Sequence, residues 1–224
     1  MNPKKRLLLT IWLTLVLVCV AIAACQTPAA GLPSATTALS VAVTGLPSAT
    51  ATGGAPCALP TIQVPPQPEI TPALNQIDPA TGLHVTGALR HINLATYRLK
   101  VTGAVSQTLE LTFDQLRCLP KTTSKETLVC SGFFVDVATW GGVPLEEILQ
   151  LAGLRPEANV IRLISDDGYA AEITLTEARK AGAYLAYELE GEPIPQLHGF
   201  PVRAVLPGIT GGKWVKWLTE IQLR

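Results

Sequence analysis

Four basic side chains sit within one apolar run. The segment "HGFPVRAVLPGITGGKWVKWL", residues 198–218, holds His198, Arg203, Lys213 and Lys216 among Val, Leu, Pro and Gly. A core strand needs no such charges, and a solvated loop needs no such apolar content. The mixture describes apolar walls with a few cations aimed at an anion. Gly208, Gly211 and Gly212 lack a Cβ, so the backbone there can approach a ligand closely. The plainer reading is that Arg203 and the two lysines pair with acids on a sheet surface. Cysteine is the other reactive residue type. Of five, Cys19 and Cys25 lie near the N-terminus and Cys57, Cys118 and Cys130 follow. Three in the body of a chain is an odd number, which leaves one thiol with a separate task.

Several short elements must position these groups. "YRLKV" alternates as a strand does, and "TG" closes it. Thr112 can cap a short helix, "FDQLRCL", that stops at Pro120. "ETLVC" reads as a short strand ending at Cys130. Pro144 can open a helix, "PLEEILQLA", whose first-turn glutamates suit the helix dipole and which Gly153 ends. "NVIRLIS" and "YAAEIT" are strands about a "DDG" turn, and "TEARKA" is a helical turn. "AYLAYEL", "PVRAVL" and "LTEIQL" complete the strands. Short strands with three short helices, lacking regular alternation, predict an α+β domain over residues 97–224.

The N-terminal part has a different texture. Lys4, Lys5 and Arg6 precede "LLLTIWLTLVLVCVAIAA", the pattern of an export signal. The run ends in "IAAC", which resembles the lipobox of bacterial lipoproteins and makes Cys25 the expected lipidation site after a signal peptide of residues 1–24. An uncleaved membrane anchor is the other reading; either one places the rest outside the cytoplasm, tethered to a membrane. Without the signal the chain carries 14 Lys and Arg against 17 Asp and Glu, a net charge of −3. That excludes a broad electrostatic footprint for nucleic acid. Residues 26–68 hold no charged side chain and repeat "GLPSAT". They read, with Cys25, as a flexible stalk. Residues 69–96 form a lead-in with no decisive pattern.

The C-terminal half, "LAYELEGEPIPQLHGFPVRAVLPGITGGKWVKWL", resembles the molybdopterin-binding domain of the sulfite oxidase family. "LTFDQL", "LVC", "W.GVPLEEIL" and "SDDGY" resemble the same domain in the same order. The resemblance implies a sulfite-oxidase-like fold with mixed sheets and short helices, and a molybdenum–molybdopterin cofactor. It implies that His198, Arg203, Lys213 and Lys216 lie against the pterin and its phosphate. It implies that the thiolate of Cys130 ligates molybdenum, a pairing of soft ligand and metal. Read from the residues alone, Cys130 could instead be bridged to Cys118 or be an inert core residue. Cys57 offers Cys118 another partner, which would leave Cys130 free. Tyr187 matches a tyrosine that the family places near the metal, where a phenol can hydrogen-bond to substrate and pass a proton. A core tyrosine is the alternative.

The sequence also departs from that family. Where sulfite oxidases follow the cysteine with Asn and Arg, this chain has "SGFFVD", and Phe133, Phe134 and Asp136 offer an anion no cation. The family's N-terminal pterin-contacting segment has only His91 or Arg90 as candidates. The signal reads "PKKRLLL" and lacks the Arg pair with which folded, cofactor-loaded proteins are exported. Two functions follow as expectations. One is a lipid-anchored, extracytoplasmic oxidoreductase that moves an oxygen atom to or from a small substrate while molybdenum cycles between +6 and +4. A separate electron-transfer partner would serve it, since no haem or iron–sulfur motif is visible. The other is a binding module on the same fold that has lost the metal.

Overall fold

The structure, a computed structural model, describes residues 57–224. Cys25, the signal peptide and most of the expected stalk lie outside the described residues. Among the described residues, strands build two five-stranded sheets joined by three short α-helices, an α+β fold. The first sheet runs β2 (Leu109–Leu111), β1 (Leu99–Gly103), β10 (Leu218–Leu223), β5 (Val160–Ser165), β6 (Ala170–Thr174). Its β1–β10 pair is parallel, with Val101 opposite Ile221, and joins the start of the domain to its end. The second runs β3 (Thr122–Cys130), β4 (Phe134–Pro144), β7 (Tyr184–Leu189), β8 (Glu192–Pro193), with β9 (Arg203–Val205) also pairing β7.

Local chemistry accounts for the helices. Helix α1 (Phe113–Arg117) opens on a capping box between Thr112 and Gln115. Helix α2 (Leu145–Ala152) starts after Pro144 and ends where Gly153 takes φ 68°. Helix α3 (Leu175–Ala181) has a second capping box, Thr174 with Glu177. Leu99, Val101, Ile161, Leu163 and Ile221 fill the core under the first sheet.

Two expectations needed revision. The strand at "ETLVC" is nine residues long and forms a hairpin with β4, an eleven-residue strand that the pattern hid. "FFVDVATWGGVP" mixes exposed valines with two glycines, and glycine weakens the strand signal. Gly142 is glycine because a Cβ there would lie 2.0 Å from the carbonyl oxygen of Leu185, where β7 carries an extra residue against β4. The second revision concerns the stalk, expected to reach residue 68. Residues 57–68 lie on the domain instead. Cys57 is disulfide-bonded to Cys118, Arg117 donates to the carbonyl of Pro60 at 3.0 Å, and Gln196 donates to that of Pro65 at 2.6 Å.

Candidate functional site

The β3–β4 hairpin has two unlike faces. Directly opposed residues share a face. Leu128 lies opposite Asp136 and Cys130 opposite Phe134, and these four, with Ala138 and Trp140, line a cavity of about 230 Å³. The other face carries Val129, Val135 and Val137, all exposed. Cys130 is a free thiol at the strand end. The Cys57–Cys118 bond removes the Cys118–Cys130 bridge from consideration.

The opening stretch supplies the opposite wall. His198, Arg203, Gly211, Gly212, Trp214 and Lys216 line the same cavity. Gly199 makes the approach of these groups possible. It has φ 115°, and a Cβ there would stand 3.1 Å from the Cβ atoms of both Arg203 and Lys216. At Gly211 a Cβ would stand 2.6 Å from Cδ2 of Leu128, so the backbone turn rests directly on β3. The guanidinium of Arg203 lies over the indoles of Trp140 and Trp214, at 4.6 and 5.9 Å. It donates to the carbonyls of His198 (3.0 Å) and Trp214 (3.4 Å), while its Nε–H is buried with no partner. Lys216 donates to the carbonyls of Leu197 (2.6 Å) and Thr86 and lies 4.3 Å from the ring of Trp217.

Burial costs these cations. Desolvation, and repulsion from Arg203, push Lys216 down to about 7, against the pull of Asp167. Desolvation lowers Arg203 to about 10, although Asp136 and Tyr184 oppose it. His198 falls to about 4 through burial, even though Asp78 hydrogen-bonds to it. Among the described residues, neither Arg203 nor Lys216 is within ion-pair distance of a carboxylate. Two buried cations without a direct ion pair are what an anionic ligand would relieve.

The lead-in segment holds residues that sequence reasoning missed. Asp78 Oδ2 and Thr81 Oγ1 each lie 2.9 Å from His198 Nε2. An acceptor-only carboxylate there fixes the proton on Nε2. His84 lines the cavity and donates from Nδ1 to Asp136 at 2.6 Å, its ring stacked on Phe134 with centroids 4.4 Å apart. The short bridge Ile77–His84 holds both ends of this turn. His91 and Arg90, the lead-in residues the sequence offered, are engaged elsewhere. His91 meets Gln196 at 2.8 Å and Arg90 pairs with Asp166 at 2.7 Å. Only a histidine three residues before a glycine marked His84, a signal too common to read.

Two expected residues stand apart from the lining. Tyr187 is buried with its ring edge-on to Phe113 at 6.2 Å, in the irregular stretch of β7. Lys213 is half-buried, within electrostatic reach of Glu177. The cavity therefore gathers Cys130, His198, Arg203 and Lys216, and not Tyr187 or Lys213.

The residues fit a molybdopterin. The buried Nε–H of Arg203 wants an acceptor, the glycine turn lies where side chains would obstruct, and a free thiol opens on the same space. Among the described residues no group of three His, Cys, Asp or Glu could hold a metal by itself.

Comparison with known proteins agrees. Residues 86–224 match the oxidoreductase molybdopterin-binding domain. The mitochondrial sulfite oxidase of Macaca fascicularis is 36% identical over 159 residues, which are 58% of this chain and 29% of that protein. The Arabidopsis thaliana sulfite oxidase is 31% identical over 58% of this chain and 42% of its own length. The chain thus spans well under half of these relatives. The uncharacterized oxidoreductase YuiH of Bacillus subtilis is 30% identical over 71% of this chain and 78% of its own length. The crystal structure of the sulfane dehydrogenase SoxCD from Paracoccus pantotrophus shares the fold, with a TM-score of 0.59 and 21% identity over 84% of this chain and 59% of that one. The chain belongs to the sulfite oxidase family, as an oxidoreductase molybdopterin-binding domain.

Proposed function

We propose that this protein is an extracytoplasmic, lipid-anchored oxidoreductase that uses molybdenum–molybdopterin to transfer an oxygen atom to or from a small substrate. The observation that carries the proposal is the pair of buried cations, Arg203 and Lys216, which make no direct ion pair among the described residues and share a cavity with the Cys130 thiol. When bound, the cofactor supplies two-electron chemistry coupled to movement of one oxygen atom, with water as its source or sink. Arg203 and Lys216 would meet the phosphate and pterin edges. Cys130, deprotonated, would be the metal's protein ligand. His198 is held by Asp78 with its proton on Nε2, which leaves Nδ1 as an acceptor. Trp140, Trp214 and Trp217 exclude water from the cationic end. A separate protein would take or supply the electrons.

The leader sequence favours a second reading, because "PKKRLLL" lacks the Arg pair of signals that carry loaded proteins. On that reading the cavity binds another anion and no metal. Elemental analysis of the protein purified from its native host separates the two. Molybdenum near one atom per chain, with a pterin released on denaturation, supports the oxidoreductase. Protein free of both overturns it.

A further inference from the structure

We propose that the Cys57–Cys118 disulfide controls the cationic wall of the cavity, so that its reduction loosens the hold on an anionic ligand. That the ligand is a molybdopterin rests on the proposed function; the coupling itself does not. Both cysteines are exposed, so a thiol in solution reaches the bond, and exposed disulfides are the labile ones. The bond ties one end of a strap, residues 57–68, to the C-terminal end of helix α1, where Arg117 holds the carbonyl of Pro60. Near its other end, the carbonyl of Pro65 accepts from the side chain of Gln196 at 2.6 Å. The strap buries little of itself. Ile62 packs on the core and Val64 stays exposed. Without the disulfide, the entropy of ordering the strap outweighs the net gain from two hydrogen bonds and one apolar contact.

Gln196 links the strap to the wall. Gln196–His198 form one 3-10 turn, and its three consecutive carbonyls each accept from a residue that lines the cavity. Gln196 accepts from Trp217 Nε1 at 2.8 Å, Leu197 from Lys216 Nζ at 2.6 Å and His198 from Arg203 at 3.0 Å. The side chain of Gln196 is buried and held from outside the cavity, by Pro65 at its amide N–H and by His91 at its oxygen. Departure of the strap leaves a buried amide N–H without its acceptor, a state that costs more than the bond contributed. The turn shifts to satisfy it and takes the three carbonyls along. The chemistry is thiol–disulfide exchange. On closing, the thiols of Cys57 and Cys118 give two electrons and two protons to a partner disulfide, which leaves as a dithiol; a dithiol reductant runs the exchange backwards.

The indole N–H signals of the full-length protein, carrying isotope-labelled tryptophan, test the coupling. Opening the bond with dithiothreitol should shift or broaden the Trp217 signal and leave that of Trp214, whose indole is held by the carbonyl of Ile209. Gln196→Ala should move the Trp217 signal in the same way with the disulfide intact. Molybdenum per chain, followed during dialysis without reductant, is the second readout. Cys57→Ser and Gln196→Ala should each lose it at least about tenfold faster than the parent protein. A Trp217 signal that stays in place on reduction or in Gln196→Ala overturns the inference, as does molybdenum loss at the parent's rate. Collapse of all the indole signals together on reduction also overturns it, since the bond would then staple the whole fold. A parent protein without molybdenum overturns the proposed function, and the indole signals still decide the coupling.

Discussion

Asp78 and His198, 120 positions apart, share a buried hydrogen bond of 2.9 Å that ties the lead-in segment to the cavity wall. Burial of His198, which outweighs the pull of this bond, has a pH signature. His198 is held at about 4 against an ordinary 6.5, so the folded state keeps it neutral while the unfolded state takes up a proton below 6.5. Asp78 acts in the same sense at lower pH, its contribution being lost below its ordinary value of 3.8. Burial raises it, but the bonds from His198, Ala80 and Thr81 outweigh burial and leave it lowered. Stability should therefore fall as pH drops from about 6.5 to about 4. Thermal melts across that window should show the fall, and His198→Gln should flatten it. A Tm constant over the window would contradict the assignment.

The disulfide prediction concerns which cysteines stabilise. Cys57 and Cys118 are 61 residues apart, and a loop of that length implies about 4 kcal/mol of stabilisation in the chain-entropy account. Cys57→Ser and Cys118→Ser should lower Tm equally, and reducing agent should reproduce the loss in the parent protein. In cofactor-free protein, Cys130→Ser should leave the melt nearly unchanged.

Metal content should respond in the opposite way. Cys130→Ser should abolish molybdenum retention with the fold intact. Arg203→Lys keeps a cation but loses the planar fork and the Nε–H. It should weaken cofactor retention by about 1.5–3 kcal/mol, roughly tenfold or more, when molybdenum per chain is measured after gel filtration. Full molybdenum in Cys130→Ser would remove the thiol from its assigned role.

Gly199 is a backbone requirement of the site. Its φ of 115° is one that side chains rarely adopt, and a Cβ there would crowd those of Arg203 and Lys216 at 3.1 Å. Gly199→Ala should cost about 1–3 kcal/mol and separate Arg203 from Lys216. Gly168→Ala, at φ 85° with open space around it, should show the conformational strain without the crowding. Equal losses of cofactor in the two variants would count against a special place for Gly199.

The proposed lipidation at Cys25 is motivated by "IAAC" after the basic and apolar run. Mass spectrometry of the mature N-terminus should find a diacyl- or triacyl-cysteine. An intact Met1 would contradict it.

The sequence by itself determined the elements whose cause is local, and the type of chemistry. Thr112 with Gln115, Thr174 with Glu177 and Gly153 set helix ends through groups a few residues apart, so the pattern could be read directly. The cationic run at 198–218 raised the expectation of an anion site, and its spaced motifs pointed to the family. The length of the β3–β4 hairpin was not legible, because β4 is exposed on one side and broken by glycines, and only its partner strands give it a register. The companions of Cys130 were equally hidden. His84 reaches Asp136 across 52 residues and Asp78 reaches His198 across 120, pairings made by packing that leave no mark in either local sequence. Tertiary structure also settled which of Cys57, Cys118 and Cys130 is free, since Cys57 could meet Cys118 only once residues 57–68 lay on the domain. It placed Tyr187 against Phe113 and outside the cavity lining, in a stretch of β7 where an extra residue interrupts the alternation that sequence reading assumes.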